Sequence, residues 1–148
     1  MARADYFEIE KAIAAQIRDD AAVAACEAQV FVEQPVEYER GRYVLIFARR
    51  RTAPAGIQQI AAGQRTRFEF VVDVWCFAFE LEVDAATRAR DDLLGLVELA
   101  LMKDRRFGRS DVVHSNISGG EFEGGLDDHG FATGASSELT LDVTAVTT

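Results

Sequence analysis

The chain has 148 residues and a formal net charge of −9, with 25 acidic against 16 basic side chains. That length suits one domain able to bury a core without disulfides or metal, and 49% hydrophobic with 28% charged residues is an ordinary globular balance. The acidity argues against a surface that is all nucleic-acid footprint, although an acidic wall would let DNA slide past without sticking.

Cys26 and Cys76 are the only cysteines and neither sits in a CxxC pair, so two buried free thiols are expected rather than a disulfide framework or metal site. MARADYFEIEK has no apolar signal region, and no run approaches the ~18 apolar residues of a membrane span. A soluble, non-secreted protein is the expectation. No solenoid repeat and no interdomain linker is visible, so residues 1–148 read as a single domain.

Asp5 and Glu8 have capping-box spacing, and Tyr6, Ile9, Ile13 and Ile17 place an apolar stripe on a helix ending near Arg18. Glu10, Lys11 and Arg18 fall on the opposite side. Asp19-Asp20 suits a helix C-terminus badly and marks the stop. AAVAACEA, residues 21–28, either extends the helix or leads into a strand. Gln29 to Glu33 reads as a short strand with Val30 and Val32 on one face. Tyr43 to Ala48 is a second strand, apolar on both faces, hence central or in an oligomer contact. Residues 49–66 then form a loop well beyond the usual hairpin length, and such loops are commonly functional or mobile.

The third strand is the longest. Phe68, Phe70, Val72, Val74, Cys76 and Ala78 share one face, and Glu69, Val71, Asp73, Trp75, Phe77 and Phe79 the other. At ~3.3 Å per residue it spans about 50 Å, so a bulge or a projection beyond the domain is expected. An apolar second face is an oligomerisation signal. Asp84 is the expected N-cap of a helix reaching Phe107, with Ala86, Ala89, Leu93, Leu96/Val97, Ala100 and Leu101 buried and Gly108 as C-cap. Asp111 to Ile117 reads as a strand. Residues 118–137 hold six glycines around a short strand near Phe122, and Glu138 to Val146 alternates as a half-buried strand. The class is α+β: one mostly antiparallel sheet with two helices packed on a face, in the order α-β-β-β-α-β-(β)-β.

Little chemistry is on offer. His114 alternates within a strand, and Asp127-Asp128-His129 lacks a second spaced cluster for a metal. Asp73 and Glu69 could be a carboxylate pair, but ion pairing with Arg42, Arg65 or Arg67 explains them more simply. SGGEFEGG has neither the GK[ST] ending nor the following helix of a phosphate loop. No GxSxG, HExxH or Cys–His signature is present, and neither catalytic residues nor a cofactor are expected. Arg49, Arg50 and Arg51, with Arg65 and Arg67 across the loop, are the sole basic concentration, suited to phosphates or to an acidic neighbouring subunit.

The helix DYFEIEKAIAAQI, the strand YVLIFARRR before a polar loop, FEFVVDVWCFAFE running into DAATRARDDLLGLVELAL, and the EFEGG region before ELTLDVTAV together resemble the tail terminator (tail completion) proteins of long-tailed bacteriophages and phage-like gene transfer particles. The resemblance covers nearly the whole chain as a pattern of elements. It implies a structural virion protein of the tail, assembled in the bacterial cytoplasm. Such a protein would form a homohexameric ring that caps the tail tube, stops its polymerisation and meets the head–tail connector. On that reading the long loop and its arginines bind the tube's last ring or an adjacent subunit, and Trp75, Phe77 and Phe79 meet a neighbour. DNA would pass the lumen without specific binding, and no membrane is involved. A head–tail connector or stopper protein is the nearest alternative. A small non-viral ligand-binding or catalytic α+β domain is another.

Overall fold

The computed structural model describes residues 3–34, 39–52, 66–123, 128–129 and 132–147, with the backbone alone at 128, 129 and 132. The elements run α1 (Tyr6–Arg18), α2 (Ala21–Ala25), β1 (Gln29–Val32), β2 (Gly41–Thr52), β3 (Arg67–Glu80), α3 (Val83–Lys103), β4 (Val112–Gly119), β5 (Phe122–Glu123), β6 (Asp128–His129) and β7 (Ala132–Val146). All strands join one seven-stranded sheet of order β1-β2-β3-β7-β4, with β5 and β6 also on β7. The fold is α+β, as the sequence predicts. Every pairing is antiparallel except β1 with β2, which is parallel.

Three helices rather than two cover the sheet, because Asp20 caps an extra short one. Its carboxylate accepts from the amides of Ala22 and Val23, which fixes the first turn of α2. Asp20 also pairs with Lys103, and that contact holds its carboxyl below the usual range. Asp5 makes no cap hydrogen bond, and Glu8 turns instead to Lys11 at 2.8 Å. The N-cap of α3 is Glu82 rather than Asp84, which lies in the first turn, where the helix dipole favours an anion. The helix stops at Lys103, short of Phe107. Asp104 accepts from the amides of Arg106 and Gly108 and winds the chain into a turn at that point. The side chain of Gln16 donates to the carbonyls of Ala100 and Asp104, both at 2.9 Å, tying α1 to the open end of α3.

The core lies between the helices and one face of the sheet. Ile9, Ile13 and Ile17 of α1, Val23 of α2, and Leu93, Val97 and Leu101 of α3 form one cluster with Phe68, Phe70, Val72, Val74, Leu139, Leu141 and Val143. Alanines at 86, 89 and 100 are buried in α3, small side chains that leave room for close approach to β3 and β7. Cys76 is buried, which pushes its thiol up to about 12. Cys26 is only half-buried, where two buried thiols were expected.

Candidate interaction surfaces

On the other face of the sheet the second apolar cluster holds, among the described residues, strand side chains alone, Tyr43 and Phe79 with Phe31 and Phe77. Strict alternation along β3 puts Trp75, Phe77 and Phe79 there. Their rings stack in sequence, with centroids 5.9 Å apart between Trp75 and Phe77 and 6.4 Å between Phe77 and Phe79. The register sets Leu45 opposite Trp75 and Tyr43 opposite Phe77. Phe79 lies over Gly134, where a Cβ would stand 2.6 Å from its ring, so glycine is what lets the aromatic row lie flat. Trp75 and Phe77 are half-buried and Phe79 is buried.

The bulge expected in β3 occurs instead in its partner. β3 pairs with β7 without interruption from Arg67 to Glu80, whereas the β2 register shifts between Ala48 and Arg50. Arg49 is the extra residue, and a bulge redirects its side chain. The Arg49 guanidinium Nε lies 2.9 Å from Asp73 and its Nη2 lies 3.9 Å from Glu138. Asp73 faces Thr140, two residues from Glu138 on β7, so the two carboxylates share the open face. Burial first, and then Asp73 beside it, push the Glu138 carboxyl up, while Arg49 opposes the shift. Asp73 is thus ion-paired as the sequence suggests, but with Arg49, and among the described residues not with Arg42 or Arg67.

Of the expected basic cluster, Arg49 is therefore engaged inside the chain. Arg50, Arg51 and Arg67 stand exposed at one end of the β2–β3 pair and make no ion pair among the described residues. Arg65 and most of the 49–66 loop lie outside the described residues, as does Asp127 of the weighed metal motif. Among the described residues no group of three or more metal-ligating side chains exists, and no helix is long and apolar enough to cross a membrane.

Periodicity missed one buried carboxylate. Glu10, expected on the solvent side of α1, is 3% exposed. The amide of Ala48 donates to Glu10 at 2.9 Å and to Glu33 at 2.8 Å, just past the end of β1. Glu33 adopts φ of 50° while its own amide bonds the Ile46 carbonyl, so the backbone turn aims its carboxylate at Ala48. Burial, and then the Glu33 carboxylate, push Glu10 up to about 8. Spacing along one helix could not reveal this, because the second acid comes from a strand.

Three large apolar side chains stand in water just past β3, at the start of α3 and on β5. Leu81, Val83 and Phe122 are 56%, 49% and 66% exposed. Around them Glu82, Asp84, Glu121 and Glu123 are exposed and make no ion pair among the described residues. The Arg90 guanidinium lies over the Phe122 ring, 4.8 Å from its centroid. Behind Phe122, Gly120 approaches β7 so closely that a Cβ would meet the Glu138 carbonyl oxygen at 1.8 Å, which presses β5 onto β7.

No protein-family model matches the sequence, and no curated protein matches it. Among solved structures, the chain is similar to one in the virion of a native gene transfer agent (GTA) particle, with a TM-score of 0.59 and 17% identity over 95% of each chain. At that identity the likeness establishes a shared fold, and the fold extends over nearly the full length of both chains.

Proposed function

We propose that this chain is a structural virion protein of a phage-like particle, acting as a tail terminator. Copies assemble into a ring, six by the family resemblance, that closes the tail tube, ends its polymerisation and joins it to the head connector. The observation that carries this reading is the fold shared end to end with a chain of a gene transfer agent virion. The open sheet face supports it. The half-buried Trp75, on a face that no described helix covers, is the kind of surface a ring subunit covers with its neighbour, since a closing rotation removes such surfaces from water. The net charge of −9 supports it too, because acidic lumen walls let DNA pass without adhering.

The role is one of shape and contact rather than catalysis. Trp75 and Phe77, braced from within by the buried Phe79, supply the subunit contact, and Arg50, Arg51, Arg65 and Arg67 supply the charged one; Arg49 organises the sheet face between them. Native mass spectrometry and negative-stain microscopy of the purified protein, alone and with its tail tube protein, test the reading. A ring of defined copy number at the tube end is the expected outcome, and a monomer under both conditions overturns it. Particles lacking the protein should carry tails of uncontrolled length. Tails of normal length detached from filled heads would identify a connector instead.

A further inference from the structure

We propose that the sheet edge made by β4 and β5 joins two copies of this chain, with Phe122 of each copy seated in a groove between α3 and β4 of the other. This contact is separate from the one that the ring reading gives to Trp75, which stands on the opposite face of the sheet.

The edge is open by topology. β3 pairs with one side of β7 from Thr133 to Val146, so β4, β5 and β6 all take its other side. No strand lies beyond them among the described residues. Such an edge is a template for pairing with another chain. The groove exists because α3 packs on β3 and β7 and leaves β4 beyond it. Its volume is about 240 Å³. Leu101 and Met102 of α3 form one side, Ile117 of β4 and Leu141 of β7 form the floor, and Arg105 also lines it. Ser115 Oγ donates to the Arg105 carbonyl at 2.7 Å, which ties this end of the groove to β4. The Arg105 side chain is exposed and makes no ion pair among the described residues.

Chemistry chooses the occupant. An apolar groove with a guanidinium beside it suits an extended segment whose apolar side chain is flanked by carboxylates. Glu121-Phe122-Glu123 is such a segment. Phe122 is 66% exposed, and the two glutamates are exposed and unpaired among the described residues. Phe122 also stands on the correct face. It is level with Ser137, which is level with the buried Cys76, and the Arg90 guanidinium of α3 lies over its ring. Its own groove is out of reach: Phe122 pairs with Ser137 and Ile117 with Leu141, four residues along β7, or roughly 13 Å. A second copy is not so limited. Two like edges related by a two-fold axis make each contact twice, and the pair closes on itself.

Native mass spectrometry and light scattering over a concentration series test the pairing. The parent should form pairs, and Phe122→Ala should weaken them at least tenfold while its unfolding midpoint stays near that of the parent. Arg105→Glu, and separately Glu121→Arg with Glu123→Arg, should each weaken pairing at least tenfold, because every contact in such a pair opposes like charges. An equal mixture of these two variants should recover pairing as a mixed dimer, since both of its contacts then match opposite charges. Trp75→Ala should leave the pair intact. A parent that stays monomeric, parent-like pairing in Phe122→Ala, or a mixture that stays unpaired overturns the docking proposal. Loss of the pair in Trp75→Ala would move the contact to the other sheet face and overturn it as well.

Discussion

The two faces of the sheet are made by the same strands and differ in what they meet. On the helix side, Val72, Val74 and Cys76 of β3 are fully buried beneath α1 and α3. One residue along the strand, Trp75 and Phe77 alternate with them and stay half-exposed, and the same face carries Asp73, Glu138 and the redirected Arg49. One face is finished within the monomer. The other mixes stacked aromatics with a charged cluster and leaves Trp75 and Phe77 half-buried. Stability and assembly should therefore separate by face.

The sharpest way to break the contrast is one substitution on each side. Leu141→Ala removes a fully buried side chain and should cost about 2–5 kcal/mol in denaturant unfolding. Trp75→Ala, on the open face, should cost about 1 kcal/mol or less in the monomer while strongly impairing ring formation. A Trp75 variant that loses as much monomer stability as the Leu141 variant would show the open face to be core.

Next comes pH, which probes the carboxylate pair at the end of β1. The folded protein binds the Glu10 proton more tightly than the unfolded chain does, so that contribution to stability is complete below about 4.5 and is lost as pH rises through about 8. The slope should reach at most ~1.4 kcal/mol per pH unit across that window. Glu10→Gln keeps an acceptor for the Ala48 amide and should flatten the slope. An unchanged slope in that variant would place the titrating group elsewhere.

The smallest effect belongs to Arg49. Its guanidinium is half-exposed and screened by water, so Arg49→Ala should cost about 1 kcal/mol in chemical denaturation at neutral pH. The loss should shrink at acid pH. Protonation of Glu138, whose carboxyl is already pushed up, removes one of the two repelling charges. A loss independent of pH would mean that Arg49 contributes packing rather than charge.

Much of the fold was legible in the chain. Period-3.6 spacing located α1 and all six of the residues that α3 buries. Alternation assigned both faces of β3 correctly, because one face must be apolar whatever the partners are. Where local rules competed, cap chemistry misled in detail: Asp5 holds the N-cap position of α1 without a side-chain bond, Asp84 falls two residues past the N-cap of α3, and it is Asp20 whose carboxylate caps a helix. The candidate surfaces were half legible. The aromatic row of Trp75, Phe77 and Phe79 and the free arginines could be read off directly. The exposure of Leu81, Val83 and Phe122 could not, since apolar residues just past β3, at the start of α3 and in a two-residue strand give no local sign of being left uncovered.

The sequence by itself determined the principal elements, their order and the apolar side chains that α1, β3 and α3 turn inward, because those follow from backbone periodicity and the aversion of apolar groups to water. Tertiary structure alone decided the pairings. It set β1 parallel to β2, brought Glu33 to Glu10 across the Ala48 amide, and placed a bulge in β2 rather than β3 so that Arg49 reaches Asp73 and Glu138. Register between strands distant in sequence is fixed by packing of the whole sheet, and no window along the chain contains it.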